Sequence, residues 1–255
     1  MVIGSKLHIM QTLNLTLPTC WQELTPAQLR YVFYLLSLDK FTADEIKTYV
    51  LFRWAHIEVI SPEGDGFFVR HEGKPLHLTA LQIAEVLPFL SWLDRLPTYP
   101  VRLPQICGHS ACAADLQGLS IEDYISCDNF YTGFLVTGDN SHLYDIAAIL
   151  YGAEPSRKFH LSPEEYISIF YWFGSAKEHL ARRFTHFFHT APLNQETDLG
   201  KHLQELVDTQ IRALTKGDIT KEETVLKMDV WRALTELDAQ AADAEELKRQ
   251  MHQTV

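Results

Sequence analysis

Cys107, His109 and Cys112 lie together in the stretch CGHSAC, and Cys127 follows. Thiolate and imidazole are the usual protein ligands of zinc, so the first chemistry to weigh is a metal site. The spacing C-x-H-x2-C-x14-C lacks the paired short spacings of a structural zinc module, and loop thiols followed by a helix-packed Cys127 account for it equally well. A second set, His179, His186 and His189 in EHLARRFTHFFH, falls seven and three residues apart, close enough to share a helix face. No H-E-x-x-H accompanies it, and histidines and arginines near a helix carboxy terminus are explained by the dipole there. The metal reading, built on the Cys107–Cys112 loop or the His179–His189 helix, is therefore the alternative and not the leading one.

Paired carboxylates such as Glu122 with Asp123, Glu164 with Glu165 and Glu222 with Glu223 have the residue types of acid–base catalysis. Each pair opens an expected helix, where negative charge offsets the positive dipole end, so structure explains them first. Phosphate-binding G-x-x-x-x-G-K-[ST], dinucleotide-binding G-x-G-x-x-G and the nucleophile elbow G-x-S-x-G are missing from the chain. No catalytic, cofactor-binding or metal residue is assigned, no cofactor is expected, and binding is favoured over catalysis.

The elements that would hold these side chains announce themselves by one recurring grammar: apolar, Ser or Thr, two fillers, an acid or amide, apolar. It occurs as LTPAQL, FTADEI, LTALQI, LSIEDY, LSPEEY and, less completely, ITKEET. The hydroxyl accepts from the third helical amide while the acid or amide reaches back to the cap residue, and the flanking apolar pair staples the turn. Helices are expected at 26–37, 43–54, 80–94, 121–136, 141–151, 163–188, 198–216 and 221–251. LNLTLP (13–18) and AHIEVI (55–60) read as strands, and GFFVRHEGKPLHL (66–78) as a hairpin turning at Gly73.

The fold expected is mainly α with a small antiparallel β-sheet in the amino-terminal half, an α+β arrangement. Its helical globular core spans 10–190, and an acidic helical segment spans 195–255. Residues 95–118, with Pro97, Pro100 and Pro104, read as a long ordered loop. The helix from 163 is apolar nearly all round for two turns, so it belongs at the centre of a core.

Composition narrows the partners. The 255-residue chain has a formal charge of -11 and no basic run, which removes the electrostatic basis of nucleic-acid binding. Its apolar runs fall short of the roughly 20 residues that cross a bilayer. With no apolar leader segment and four cysteines, a reduced, cytoplasmic setting is expected.

The last helix carries Val230, Leu234, Leu237, Ala241 and Ala244 in a 4-3-4-3 rhythm, continued after a shift by Leu247 and Met251. Such a stripe serves either to bind a protein partner or a second copy, or to cover the chain's own core. The stretches WQELTPAQLRYVFYLLS, LSIEDYISCDNFYTGFLVTGDNSHLYDIAAILY and VLKMDVWRALTELDAQAADAEEL resemble proteins encoded in prophage tail modules. That resemblance implies a non-enzymatic tail assembly chaperone, scaffold or minor tail component in a bacterial host cell or its virions, with phage tail proteins as partners. It carries over no functional residue.

Overall fold

The structure, a computed structural model, describes residues 15–153, 160–189, 212–215 and 217–253. It is mainly helical with a small antiparallel sheet in the amino-terminal half, as the sequence predicts. Two compact units make it up. The first runs to Pro97 and adds Ser162–Ser168; the second holds Thr98–Leu161 and everything from Ile169 onward.

In the first unit, Thr25 caps α1 (Pro26–Ser37), Thr42 caps α2 (Ala43–Trp54) and Thr79 caps α3 (Ala80–Val86), each through a complete capping box with Gln28, Glu45 or Gln82. Helix α3 tightens into a 3-10 helix over Leu87–Asp94. Pro88 has no amide to extend the α ladder, which explains why the expected 80–94 helix divides here. Strands β1 (Glu58–Glu63), β2 (Gly66–His71) and β3 (Lys74–Thr79) form the sheet in that order. Glu72 and Gly73, at φ 49° and 77°, join β2 to β3 in the two-residue turn that matches strand twist. Val32, Phe33, Val50, Val69 and Leu90 are at most 1% exposed and mark the core. The Trp21 indole donates to the Trp92 and Arg95 carbonyls at 3.1 and 3.0 Å, closing one side of it.

Three strand and cap expectations are corrected here. Leu15–Pro18 carries no strand, and residues 13 and 14 lie outside the described residues. β1 starts at Glu58 and not Ala55, because α2 ends with Ala55 as its cap and His56 in the left-handed region at φ 53°. Ser162 makes half a box: Glu165 accepts its amide at 2.9 Å, but the Ser162 hydroxyl is buried with no hydrogen-bond partner.

The second unit opens with the expected loop, interrupted by a short ladder of β4 (Gln105–Ile106) and β5 (His109–Ser110) turning at Cys107 and Gly108. Helices α4 (Ile121–Thr137) and α5 (Asn140–Leu150) pack on each other. Helix α6 (Pro163–Arg183) begins among the residues of the first unit, where Glu165 and Glu164 accept from Arg30 at 3.1 and 3.5 Å. From Ile169 onward it is the central helix of the second: Ile169, Trp172, Phe173, Ala176 and Leu180 are all fully buried. Phe184 separates it from α7 (Thr185–His189), so the expected helix 163–188 is two.

The carboxy-terminal helix expected at 221–251 is also divided. A 3-10 turn (Ile219–Lys221) leads into α8 (Glu222–Leu226), and α9 (Val230–Gln253) starts afresh. Thr220 is no cap; Asp218 accepts from its amide and hydroxyl at 3.1 and 2.6 Å. The break is made by Asp229, whose Oδ1 accepts from the Arg232 amide at 3.1 Å and caps α9. Ile121 and Val230 amides donate to the Met228 and Leu119 carbonyls, tying the break to the start of α4. Residues 212–215 and 217–253 fall in the same unit as Thr98–Leu161. Of the expected helix 198–216, residues 198–211 lie outside the described ones and 212–215 are helical.

Candidate functional site

The thiol loop does not converge. Cys107 is exposed and its Sγ–H donates to the His160 carbonyl at 3.3 Å, while Cys112 turns to the Ala113 carbonyl at 3.6 Å. Burial pushes the Cys112 thiol up to about 11 and raises that of Cys127 as well. His179 sits against the rings of Tyr99 and Trp231, with centroids at 5.0 and 5.9 Å, while His186 Nδ1 meets Glu245 Oε2 at 3.0 Å. Burial and the Arg182 charge lower the His179 pKa. Among the described residues no three His, Cys, Asp or Glu side chains are placed to share a metal ion.

What the loop 98–118 does instead is structural. Trp172 and Trp231 donate their indole N–H groups to the Ala114 and Asp115 carbonyls at 2.7 and 2.8 Å, and Asp229 Oδ2 accepts from the Gly118 amide at 2.6 Å. Arg102 donates to the Cys112 carbonyl at 2.6 Å and lies over the Trp172 ring. A proline-rich loop has few backbone partners of its own, so aromatic N–H groups and one carboxylate supply them.

The stripe on α9 has two fates. Val230, Leu234 and Leu237 are at most 5% exposed, because this half of the helix lies in the core of the second unit. These three pack inside that unit. Ala241 is half-buried and Ala244 exposed, while Leu247 and Met251 are 60% and 65% exposed. The change falls where α9 leaves α7: Asp238 accepts from the Phe187 amide at 2.9 Å, and Glu245 meets His186. Beyond Glu245, the apolar pair Leu247 and Met251 rides one turn apart between Glu246, Lys248 and Arg249 on a helix anchored by its other end.

A second feature had no sequence motif. Where the start of α1 faces the end of α2, a groove of about 310 Å3 is lined by Thr25, Gln28, Tyr31, Arg53, Trp54 and His56. A neighbouring hollow of about 470 Å3 shares Arg53 and His56 and adds Phe52, Ile57 and Glu58. The Arg53 guanidinium lies 5.6 Å over the Tyr31 ring and makes no ion pair among the described residues. Glu58, the one carboxylate in the lining, is taken by Arg70 at 2.7 Å. Burial raises the Tyr31 pKa although Arg53 opposes it, so the phenol stays neutral. Trp54 is 8% exposed, and its indole N–H is buried without an acceptor. His56 holds the left-handed position just past the α2 cap, where the Ile57 amide returns to the Phe52 carbonyl at 2.8 Å. Glycine is the residue usually found there, since it alone avoids the Cβ penalty.

No helix among the described residues is long and apolar enough to cross a membrane. No family model, characterised protein or solved structure matches the chain.

Proposed function

We propose that this chain is a non-enzymatic binding protein that holds a protein partner on the distal turns of α9, in the phage tail assembly setting its sequence resemblance implies. The observation that carries the reading is the divided stripe. A helix whose first half is locked into a core presents Leu247 and Met251 in a fixed direction, so little ordering entropy is lost when a partner covers them. Covering two such side chains contributes about 1–2 kcal/mol each at their present exposure. Together that is on the order of a 30- to 1,000-fold gain in affinity, enough for an anchor pair in a helix-in-groove contact. A second copy of the chain is the other partner with the same chemistry.

The test is the double variant Leu247→Glu/Met251→Glu. Because neither side chain lies in the core, the variant keeps the melting temperature of the wild type. Tagged wild type expressed in a host producing phage tails is expected to retain a tail protein, or to self-associate in sedimentation, and the variant to lose it. Equal retention and equal sedimentation by both chains would refute the reading. Removing residues 220–255 is not a clean version of this test, since it strips Val230, Ala233 and Leu234 from the core.

A further inference from the structure

We propose that the groove between α1 and α2 is a binding site for an oxyanion, a carboxylate or phosphate carried on a flat apolar body. Its anionic end would lie on Arg53 and His56, and its body against Tyr31 and Trp54. Three observations meet here. In a chain of formal charge -11, Arg53 is an exposed cation that makes no ion pair among the described residues, and Glu58 in the neighbouring hollow is paired with Arg70. An arginine fork without a carboxylate is a ready bidentate donor to an oxyanion.

Second, the Tyr31 ring under the guanidinium and the adjoining Trp54 give the groove an apolar wall, and its volume is at the low end of the small-ligand range. Thr25 occupies the Gln28 carbonyl oxygen, by amide and hydroxyl at 2.9 Å each, which leaves the Gln28 amide group as a further donor at the rim. Third, His56 adopts a left-handed backbone where glycine would be more stable. His56 lines both the groove and the neighbouring hollow. The site lies wholly in the first unit.

The experiment titrates the intact chain with phenyl phosphate and, separately, phenylacetate, following the Arg53 Nε–H and Trp54 indole resonances by 1H–15N NMR. Saturable shifts of these resonances with either probe are expected, and the tighter probe identifies phosphate or carboxylate as the ligand end. Arg53→Gln should weaken binding tenfold or more, and Lys40→Gln, an exposed cation beyond the far end of α1, should leave it unchanged. His56→Gly should raise the melting temperature yet weaken binding several-fold. The proposal is overturned if neither probe saturates by about 10 mM, the millimolar limit of weak specific binding. It is equally overturned if Arg53→Gln and His56→Gly bind like wild type, or if Lys40→Gln loses as much as Arg53→Gln.

Discussion

Asp229 sets where the last helix starts and which way it points, so its replacement is the sharpest probe of the second unit. Its two oxygens have separate duties: Oδ1 accepts from the Arg232 amide at 3.1 Å and Oδ2 from the Gly118 amide at 2.6 Å. Asp229→Ala removes an N-cap, which costs about 0.5–2 kcal/mol. It also removes a charge-assisted bond to a backbone amide, worth about 1.5–3 kcal/mol where shielded. The Gly118 contact is exposed, so water recovers part of that second contribution and the sum is about 1–3 kcal/mol. For a chain of this size each kcal/mol moves the melting temperature by about 2–4 °C, giving a fall of about 2–12 °C. Asp229→Asn keeps an acceptor at the cap and gives up only the charge, so it should lose about 1 kcal/mol. Thermal and urea unfolding followed by far-UV circular dichroism measure both. A loss below about 0.5 kcal/mol in Asp229→Ala, or an Asn variant as weak as the Ala variant, would show that the cap does not hold the α8–α9 break.

Tyr151→Phe should cost about 1–3 kcal/mol in urea unfolding, because the buried hydroxyl donates to the Leu103 carbonyl at 2.7 Å and its loss leaves that acceptor unpaired. Burial pulls the Lys47 ammonium down, but ion pairs with Asp44 at 2.9 Å and Asp94 at 3.0 Å outweigh it and hold its pKa above the ordinary value. A raised folded pKa means that its stabilisation is complete below the unfolded lysine value of about 10.4 and is lost as pH rises through the folded one. Wild type should therefore shed its advantage over Lys47→Met in that alkaline window, as urea midpoints read it. Alkylation at about pH 8, read by mass spectrometry, should label exposed Cys107 well before Cys112 and buried Cys127, whose thiols burial raises.

Much of this architecture is legible in the residues because its signals are local. Thr25, Thr42 and Thr79 sit three residues before Gln28, Glu45 and Gln82, and the three helices begin where that spacing puts them. The hairpin follows from Glu72 and Gly73 between two apolar runs. The stripe on α6 likewise reads as core from its periodicity alone.

What the sequence hides depends on partners distant in the chain. Asp229 looks like any polar residue inside a helical run until Gly118 and the Met228–Ile121 pairing show why the helix stops there. Ser162 has the right spacing for a box, yet only Glu165 completes its half. The apolar stripe on α9 runs on past the shift before Leu247, so its periodicity could not show that Val230, Leu234 and Leu237 are covered while Leu247 and Met251 are open. The α1–α2 groove had no motif at all, since Tyr31 and Arg53 meet only through the packing of two helices. The one local hint was His56 between a helix and a strand.

Amide hydrogen exchange along α9 tests the division of that helix most directly, read on the free chain and on the chain with its co-purified partner or second copy. In the free chain, Ala233–Leu237 should exchange only with unfolding of the second unit, while amides from Leu247 to Met251 should exchange orders of magnitude faster. In the complex, protection should extend through Met251 and leave the amides before Leu237 unchanged. Distal turns that exchange at one rate, free and bound, would contradict the account, as would slow exchange along the whole helix of the free chain.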